Sequence, residues 1–203
     1  MKKATDVFGD WAAKGKDKGM EKSHALPVSE MIDFILSKNE GEFSFLDLGC
    51  GNGWVVRKMA ENPLCNKAVG IDGAENMISN ANSLSNKEIE YILADINSFN
   101  STEKYDVIHS MEVLYYLDNP KEVIKRISNS WLENNGRLII GIDHYYENNA
   151  SHSWQDKVGT RMLMFNEKEW LLMFKEAGLQ NVQSWRANKS SDWEGTLVIT
   201  GVR

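Results

Sequence analysis

The spacing of hydrophobic positions changes repeatedly along the chain. Short apolar runs predict five strands, at 43–48, 67–71, 89–94, 105–110 and 137–142. Stretches with helical spacing lie between most of them, which is typical of an α/β protein with a mostly parallel sheet. A last helix begins with Asn166 and Glu169 in capping-box spacing and ends near Gly178. Segments 182–185 and 196–202 then predict an antiparallel hairpin, so we expect a doubly wound α/β sheet with helices on both faces.

Two flanking segments do not follow this pattern. Residues 1–26 are polar and interrupted by glycines, and Phe8 and Trp11 indicate a short helix followed by a loop. Pro27 suits the first turn of the next helix. Residues 143–165 are polar and aromatic without clear periodicity, which is typical of functional or disordered loops. We therefore predict one domain, 27–203, whose 143–165 insertion and N-terminal segment 1–26 together form a lid. The alternative is a frayed terminus and an ordinary long loop.

Composition narrows the class of protein. The 203 residues carry a net charge of −6 and fit one domain with a single core. No apolar run approaches the ~18 residues of a membrane span, and the lysines near the start precede no apolar signal-peptide region. The two cysteines predict no disulfide framework. We expect a soluble, cytoplasmic protein, with nucleic acid disfavoured as a partner because a basic face is missing. The oligomeric state stays open.

The most informative stretch is a glycine loop at 45–54. It combines a strand end, a Gly-x-Gly-x-Gly turn and a helix start, where backbone N–H groups can meet an anionic ligand. Asp72 ends the second strand, where a carboxylate accepts hydrogen bonds from ribose hydroxyls. Trp54 replaces the third glycine of a dinucleotide fingerprint, and no Gly-Lys-Ser/Thr sequence is present to hold a triphosphate. A nucleoside that carries a carboxylate, such as S-adenosylmethionine, fits better. A plain tight turn is the alternative.

Four motifs extend this signal over about residues 43–142. They are Asp47-x-Gly49-x-Gly51-x-Gly53, Val69-Gly70-Ile71-Asp72, Leu93-Ala94-Asp95-Ile96 and Tyr105-Asp106-Val107-Ile108. This set resembles the class I S-adenosylmethionine-dependent methyltransferases. Two further motifs resemble the type 11 group in particular: Met111-Glu112-Val113-Leu114 and Asn135-Gly136-Arg137-Leu138-Ile139-Ile140. The resemblance implies a Rossmann-like sheet of seven strands with the last strand antiparallel. It also implies S-adenosylmethionine as cofactor.

The resemblance implies a role for each matching residue. The glycines Gly49, Gly51 and Gly53 would pass under the methionyl part, and Asp47 would reach its ammonium. The other implied contacts are Asp72 and Gly73 at the ribose, Asp95 with Ala94 and Ile96 at the adenine, and Met111 at the methionyl side. Asp95 as a helix cap and Met111 as a core residue remain alternatives.

The residues that bind the methyl acceptor form no clear sequence motif, because methyl transfer mainly requires that the enzyme align two reactants. His144 and Tyr145 follow strand five directly and are our candidate catalytic residues, with His144 as proton acceptor. A hydrogen-bonded loop histidine is the alternative for His144, and a packed strand histidine is expected for His109. No His/Glu spacing predicts a metal site.

The expected function is methyl transfer to a small molecule. The alternatives are a cofactor-binding sensor or scaffold and, ranked last, a same-fold enzyme such as an aminopropyl transferase.

Overall fold

The computed structural model describes residues 1–85 and 89–203. Within these residues one seven-stranded sheet has the order β3-β2-β1-β4-β5-β7-β6. Its strands are β1 Phe43–Leu48, β2 Cys65–Asp72, β3 Glu90–Leu93, β4 Tyr105–Met111, β5 Leu132–Ile142, β6 Gln180–Ala187 and β7 Thr196–Val202. Strands β1 to β5 pair in parallel, whereas β7 pairs antiparallel with β5 and β6. The predicted fold class and the terminal hairpin are confirmed.

Helices cover both faces of the sheet. The α-helices of the described residues are α1 Ala4–Ala13, α2 Asp17–Lys38, α3 Trp54–Ala60, α4 Glu75–Leu84, α5 Pro120–Arg126, α6 Trp154–Val158 and α7 Glu167–Glu176. In β5, Leu138 and Ile140 pack with residues of α5 and α7, and Ile139 packs with residues of α2 and α3. Successive side chains of a strand point to opposite faces, so this continuous apolar run is buried on both sides. No helix of residues 1–85 and 89–203 is long and apolar enough to span a bilayer.

The N-terminal segment contains more helix than predicted. The predicted short helix is α1, but the expected loop after it is largely helical, because α2 begins at Asp17 and continues through Pro27. An interior proline costs a helix about 3 kcal/mol, which favours a helix start at this position. Here Pro27 and Val28 are buried against the domain, and the preceding turns of α2 pack beside α1. Tertiary packing therefore offsets the cost of the proline.

The two flanking segments touch each other. Segment 143–165 contains the 3-10 turn Asn149–Ser151 and the short helix α6. The backbone N–H of Lys2 donates to the carbonyl of Gly159 over 3.2 Å, and the Thr160 hydroxyl donates to the carbonyl of Lys2 over 3.0 Å. These bonds join the N-terminus to the far end of the insertion.

Strand β5 starts earlier than predicted. The sequence Asn134-Asn135-Gly136 is typical of a turn before a strand that begins at Arg137, but these residues lie inside β5, with Asn135 in the left-handed region at φ 65°. The pairing of β5 with β4 also shifts between Tyr105 and Val107. The turn-forming residues therefore produce an irregularity within a strand rather than a separate turn.

The capping box of α7 gives a stability prediction. The side chain of Asn166 accepts from the Glu169 N–H over 2.9 Å, and the Glu169 carboxylate accepts from the Asn166 N–H over 2.8 Å. We expect Asn166→Ala to lower the free energy of unfolding by about 1 kcal/mol in urea titrations, because one N–H of the first turn loses its partner. The matched control is Asn100→Ala, at an exposed loop position. An equal loss of stability in both variants would contradict the role of the cap.

Candidate functional site

The backbone of the glycine loop between β1 and α3 lies so close to neighbouring side chains that it leaves no room for side chains of its own at two positions. Gly49, Gly51 and Gly53 all have positive φ angles, of 72°, 54° and 76°. A Cβ at Gly49 would lie 2.2 Å from the side chain of Val113, and one at Gly53 would lie 2.5 Å from Tyr91. Larger residues are therefore excluded at both positions by backbone conformation and by contact.

The end of β2 holds this loop in place. The N–H groups of Gly49 and Cys50 donate to the carbonyl of Ile71 over 2.8 and 2.9 Å. The Gly51 N–H donates to Oδ2 of Asp72 over 2.9 Å, and the Ala74 N–H donates to Oδ1 over 2.8 Å. Burial raises the pKa of Asp72, while these backbone donors counteract part of that rise. Asp72 is therefore both a structural partner of the loop and a carboxylate on the wall of a cavity.

This cavity has a volume of about 820 Å³ and lies along the carboxyl ends of the strands. Most of the residues predicted to bind the cofactor line it: Asp47, Gly49, Gly51, Asp72, Gly73, Asp95, Ile96 and Met111. Gly53 and Ala94 are outside this wall. Gly53 lies behind the loop against Tyr91, and the carbonyl of Ala94 faces Gly73 from the next strand. The cavity is where ligands bind in open α/β sheets.

Asp95 makes local hydrogen bonds and also reaches the cavity. Its Oδ1 accepts from the backbone and side-chain nitrogens of Asn97 over 2.9 and 3.0 Å. The alternative role as a helix cap is wrong, because among the described residues β3 is followed by a turn at 96–98 and not by a helix. Asp95 closes this turn, since its carbonyl also accepts from the N–H groups of Ser98 and Phe99. Its side chain is exposed and lies on the cavity wall, so these local bonds are compatible with a ligand contact.

Asp47 is paired inside the protein. Its Oδ1 lies 2.7 Å from Nδ1 of His109, and both residues are almost fully buried. A carboxylate in this position fixes the imidazole ring, and the bond implies that the proton is on Nδ1. His109 is therefore more than the packed strand histidine expected from the sequence: it forms a buried pair that lines the cavity.

The N-terminal segment forms the roof of the cavity. Met1 to Thr5 and Phe8 line it, together with Asp17, Met20 and His24 of α2. The Phe8 ring packs edge-to-face on Tyr116 at 5.2 Å between centroids. A Cβ added to Gly73 would lie 2.6 Å from the Thr5 side chain, so the roof closely approaches the end of β2.

Two buried oxygens beside the glycine loop lack partners. Nδ2 of Asn52 and Nδ2 of Asn80 donate to Oδ2 of Asp17 over 3.1 and 3.2 Å. Oδ1 of Asp17 and Oδ1 of Asn52 have no hydrogen-bond partner among the described residues, although both side chains are buried and line the cavity. Buried acceptors of this kind indicate a ligand that donates hydrogen bonds. Sequence reasoning missed both, since Asn52 occupies a variable position of the glycine motif and Asp17 belongs to none of the recognised motifs.

The structure places the two predicted catalytic residues away from the cavity. Nδ1 of His144 lies 3.1 Å from the carbonyl of Ser151, and burial lowers the pKa of His144. The Tyr145 hydroxyl donates to the carbonyl of Gly195 over 2.9 Å, and burial raises the pKa of Tyr145 to about 12. Neither side chain lies on the cavity wall, because the chain turns both into the core after β5.

A polar cluster lies where β4 and β5 end, and two of its three residues, His24 of α2 and Glu112, line the cavity. His24, Glu112 and Asp143 each offer one ligand atom, and these atoms lie within 4.8 Å of one another. The sequence predicted no metal site because these residues are far apart in the chain, and the fold alone brings them together. Glu112 belongs to the Met111-Glu112-Val113-Leu114 motif of the family resemblance, but the sequence assigned it no role, and its positive φ of 62° is visible only in the structure.

The family model of the methyltransferase domain matches residues 20–184. Malonyl-[acyl-carrier protein] O-methyltransferase of Halalkalibacterium halodurans is 32% identical over 113 residues, which are 51% of this chain and 41% of that protein. Nodulation protein S of Rhizobium tropici is 32% identical over 112 residues, 53% of this chain and 46% of the relative. The chain thus spans about half or less of the length of these curated relatives.

A solved structure is similar over almost the whole chain. It is a complex between the Haloferax volcanii Trm112 methyltransferase activator and a protein described as a methyltransferase, with 26% identity, a TM-score of 0.84 and 96% of each chain covered. The N-methyltransferase NodS of Bradyrhizobium japonicum, bound to S-adenosyl-L-homocysteine, shares the fold at 20% identity, a TM-score of 0.62, and 80% and 79% coverage. The chain therefore belongs to the methyltransferase domain family, and its fold is that of the class I S-adenosylmethionine-dependent enzymes.

Proposed function

We propose that this protein transfers a methyl group from S-adenosylmethionine to a small-molecule acceptor. The observation that carries the proposal is one cavity of about 820 Å³ that includes the glycine loop, Asp72 and the polar residues His24 and Glu112. Pockets of roughly 300–1,000 Å³ are typical of small-molecule and cofactor sites. The relatives named above include O- and N-methyltransferases, which supports methyl transfer but leaves the acceptor atom open.

The residues on the cavity wall fit the parts of the methyl donor. Each oxygen of Asp72 accepts one backbone N–H, so each retains a lone pair for a ribose hydroxyl. Asp95 and Ile96 follow β3, where the adenine would lie, and Asp95 would accept from its amino group. The glycine loop would pass under the methionyl chain. Gly53 and Ala94 would then support this wall from behind rather than contact the donor.

The ammonium of the donor requires acceptors near the glycine loop. The predicted contact, Asp47, has one oxygen committed to His109. Oδ1 of Asp17 and Oδ1 of Asn52 supply two buried acceptors that have no partner within residues 1–85 and 89–203. We assign the ammonium to this pair, with Asp47 as a further contact, because three N–H donors would satisfy groups that are otherwise costly to bury.

In this reaction the protein has to bind and align the donor and the acceptor and exclude water. The sulfonium of the donor supplies a methyl group that is already activated. The glycine loop and Asp72 would fix the donor, and the roof formed by the N-terminal segment would exclude water. The acceptor would be aligned at the ends of β4 and β5 for an in-line displacement.

A direct experiment is incubation of the protein with methyl-labelled S-adenosylmethionine and a metabolite extract. We expect label to move into a small molecule, together with formation of S-adenosylhomocysteine. A protein that binds the donor as a sensor or scaffold would show binding by calorimetry and no labelled product. A labelled macromolecule without a labelled small molecule would contradict the proposed acceptor class.

Asp72→Ala tests the ribose contact. We expect its affinity for S-adenosylmethionine to fall on the order of 100-fold, or about 3 kcal/mol, because two charge-assisted hydrogen bonds are lost. Calorimetry would measure this change. Glu75→Ala, which removes an exposed carboxylate from the first turn of α4, is the matched control and should change the affinity less than about twofold. Equal affinities of Asp72→Ala and the unsubstituted protein would refute the assignment.

Asp17→Asn tests the ammonium contact with two related ligands. We expect the variant to bind S-adenosylhomocysteine at least about tenfold more weakly, since an amide N–H would face the ammonium. Binding of 5′-methylthioadenosine, which lacks the amino-acid part, should be nearly unchanged. Asp6→Asn makes the same charge change at an exposed position of α1. A parallel loss of affinity for both ligands would show that Asp17 acts on the structure rather than on the ammonium.

The lid prediction concerns closure of segments 1–26 and 143–165. Hydrogen exchange should show slower exchange in both segments when S-adenosylmethionine is added, because they are ordered over the bound ligand. Thr160→Val removes the hydroxyl that donates to Lys2 and should speed exchange in residues 1–13. If neither segment gains protection when the donor binds, the lid prediction is wrong.

A further inference from the structure

Three ionisable side chains meet where β4 and β5 end. Glu112 directly follows β4, Asp143 directly follows β5, and His24 approaches from α2. Nε2 of His24 lies 3.9 Å from Oδ2 of Asp143. His24 and Glu112 line the cavity, whereas Asp143 is buried beside them. Because the sheet order is β3-β2-β1-β4-β5, this cluster lies on the side of the glycine loop opposite Asp72 and Asp95.

The two carboxylates are held by neutral donors. The Tyr115 hydroxyl donates to Oε2 of Glu112 over 2.7 Å, and the Asp143 N–H donates to Oε1 of Glu112. The Thr196 hydroxyl donates to Oδ1 of Asp143 over 2.6 Å. Among the described residues, the contact with His24 is the only ion pair that either carboxylate forms. The cluster therefore has two acidic groups without a lysine or arginine beside them.

Two buried carboxylates close to each other, Glu112 and Asp143, are unfavourable unless a cation lies beside them. Burial raises the pKa of Glu112 well above its usual range, and the nearby charge of Asp143 adds to the rise. Burial also lowers the pKa of His24, although Asp143 opposes this change, so the imidazole favours its neutral form. A positively charged ligand would compensate both carboxylates and would stand next to a neutral base.

A second polar group on the same wall lacks a partner. Nε2 of His109 has no hydrogen-bond partner among the described residues, although the residue is completely buried and lines the cavity. Its Nδ1 lies 2.7 Å from Oδ1 of Asp47, so Nε2 is the ring nitrogen left for a ligand. The cavity wall beside the cluster therefore offers a ligand one more polar contact.

The neighbouring wall is aromatic and apolar. Phe8, Met20, Tyr116 and Leu117 line the cavity, and the rings of Phe8 and Tyr116 are in edge-to-face contact. Aromatic rings attract cations, and an apolar wall suits a hydrocarbon substituent. These features suit an organic cation that carries an apolar substituent.

We infer that Glu112, with the buried carboxylate of Asp143 beside it, binds the protonated nitrogen of a small primary or secondary amine, and that His24 accepts one of its protons, so that the methyl acceptor is nitrogen. The inference rests on the proposed function and names its substrate class. Methyl transfer to an amine requires a free lone pair, and the cluster supplies both charge recognition and a proton acceptor.

Methyl transfer begins when the ammonium R–NH3⁺ gives one proton to Nε2 of His24 and becomes R–NH2. The nitrogen lone pair forms the N–CH3 bond while the C–S bond breaks, and its electron pair goes to sulfur as a neutral thioether. The products are R–NH2⁺–CH3 and S-adenosylhomocysteine, and His24 releases its proton to solvent. Glu112 and Asp143 hold the positive charge of the nitrogen before and after transfer.

The first test separates labelled products by charge. The protein is incubated with methyl-labelled S-adenosylmethionine and a metabolite extract, and the products are passed over a cation exchanger at neutral pH. Unreacted S-adenosylmethionine is also retained, because its sulfonium and ammonium groups outnumber its carboxylate. We therefore expect a labelled species in the retained, basic fraction that elutes separately from the donor and is absent when the protein is omitted. Label in the neutral or acidic fraction would overturn the amine inference and leave methyl transfer intact. With no labelled small molecule, the proposed function and this inference would both fall.

The second test uses variants and the labelled basic product of the first test. Glu112→Gln and Asp143→Asn should raise the KM for the amine at least about tenfold, and His24→Gln should lower kcat about 100-fold. All three should bind S-adenosylmethionine within about twofold of the unsubstituted protein by calorimetry, which also checks folding. Asp156→Asn, at an exposed position of α6 outside the cavity wall, should change neither constant.

Three results of the variant test would overturn the inference. If Glu112→Gln and Asp143→Asn mainly weaken S-adenosylmethionine, the cluster holds the donor and not the acceptor. If turnover requires an added divalent cation, and Glu112→Gln abolishes binding of that cation, the cluster is a metal site. Unchanged KM and kcat in all three variants would also exclude the assigned roles.

Discussion

The close contact between the glycine loop and the end of β2 is the constraint on which the ligand-binding edge depends. Gly51 reaches Asp72 through its N–H, and Gly49 and Cys50 reach Ile71. The contact requires left-handed backbone angles, and at Gly49 a side chain would also collide with Val113. The position of the loop is thus fixed by the pairing of β1 with β2 and by the segment after β4. A ligand on this loop is positioned by the sheet itself.

The strand order arranges the polar groups along one edge. Asp95 follows β3, Asp72 ends β2, the glycine loop follows β1, Glu112 follows β4 and Asp143 follows β5. Carboxyl groups therefore lie on both sides of the glycine loop along this edge of the sheet, but in different surroundings. Asp72 is satisfied by backbone donors, whereas Glu112 and Asp143 lie close together with only neutral donors and His24. This difference separates a nucleoside end from an end suited to a cationic ligand.

Local sequence patterns were sufficient to predict the strands of the sheet and much of the cavity wall. Apolar runs predicted the strands, and the glycines with Asp72 identified the loop, because these features depend on neighbours in the chain. The course of α2 through Pro27 was missed, since it depends on burial of that proline against distant residues. His144 and Tyr145 were placed correctly after β5, but the direction of their side chains depends on packing. Asp17 belongs to no motif, and the motifs that contain Asn52 and Glu112 give these two residues no role; only the fold shows that all three line the cavity.

Helix α2 connects both ends of the cavity. Asp17, Met20 and His24 recur at helical spacing and line the cavity, so one face of the first turns contributes to the wall. The second half of the helix, with Val28 and Met31, is fixed in the core. Pro27 lies between the halves and cannot donate the hydrogen bond that would join them there. In the proposed function, the half that carries Asp17 and His24 is therefore positioned by ligand contacts as much as by the helix. Donor binding at Asp17 would then help to place His24 beside the acceptor.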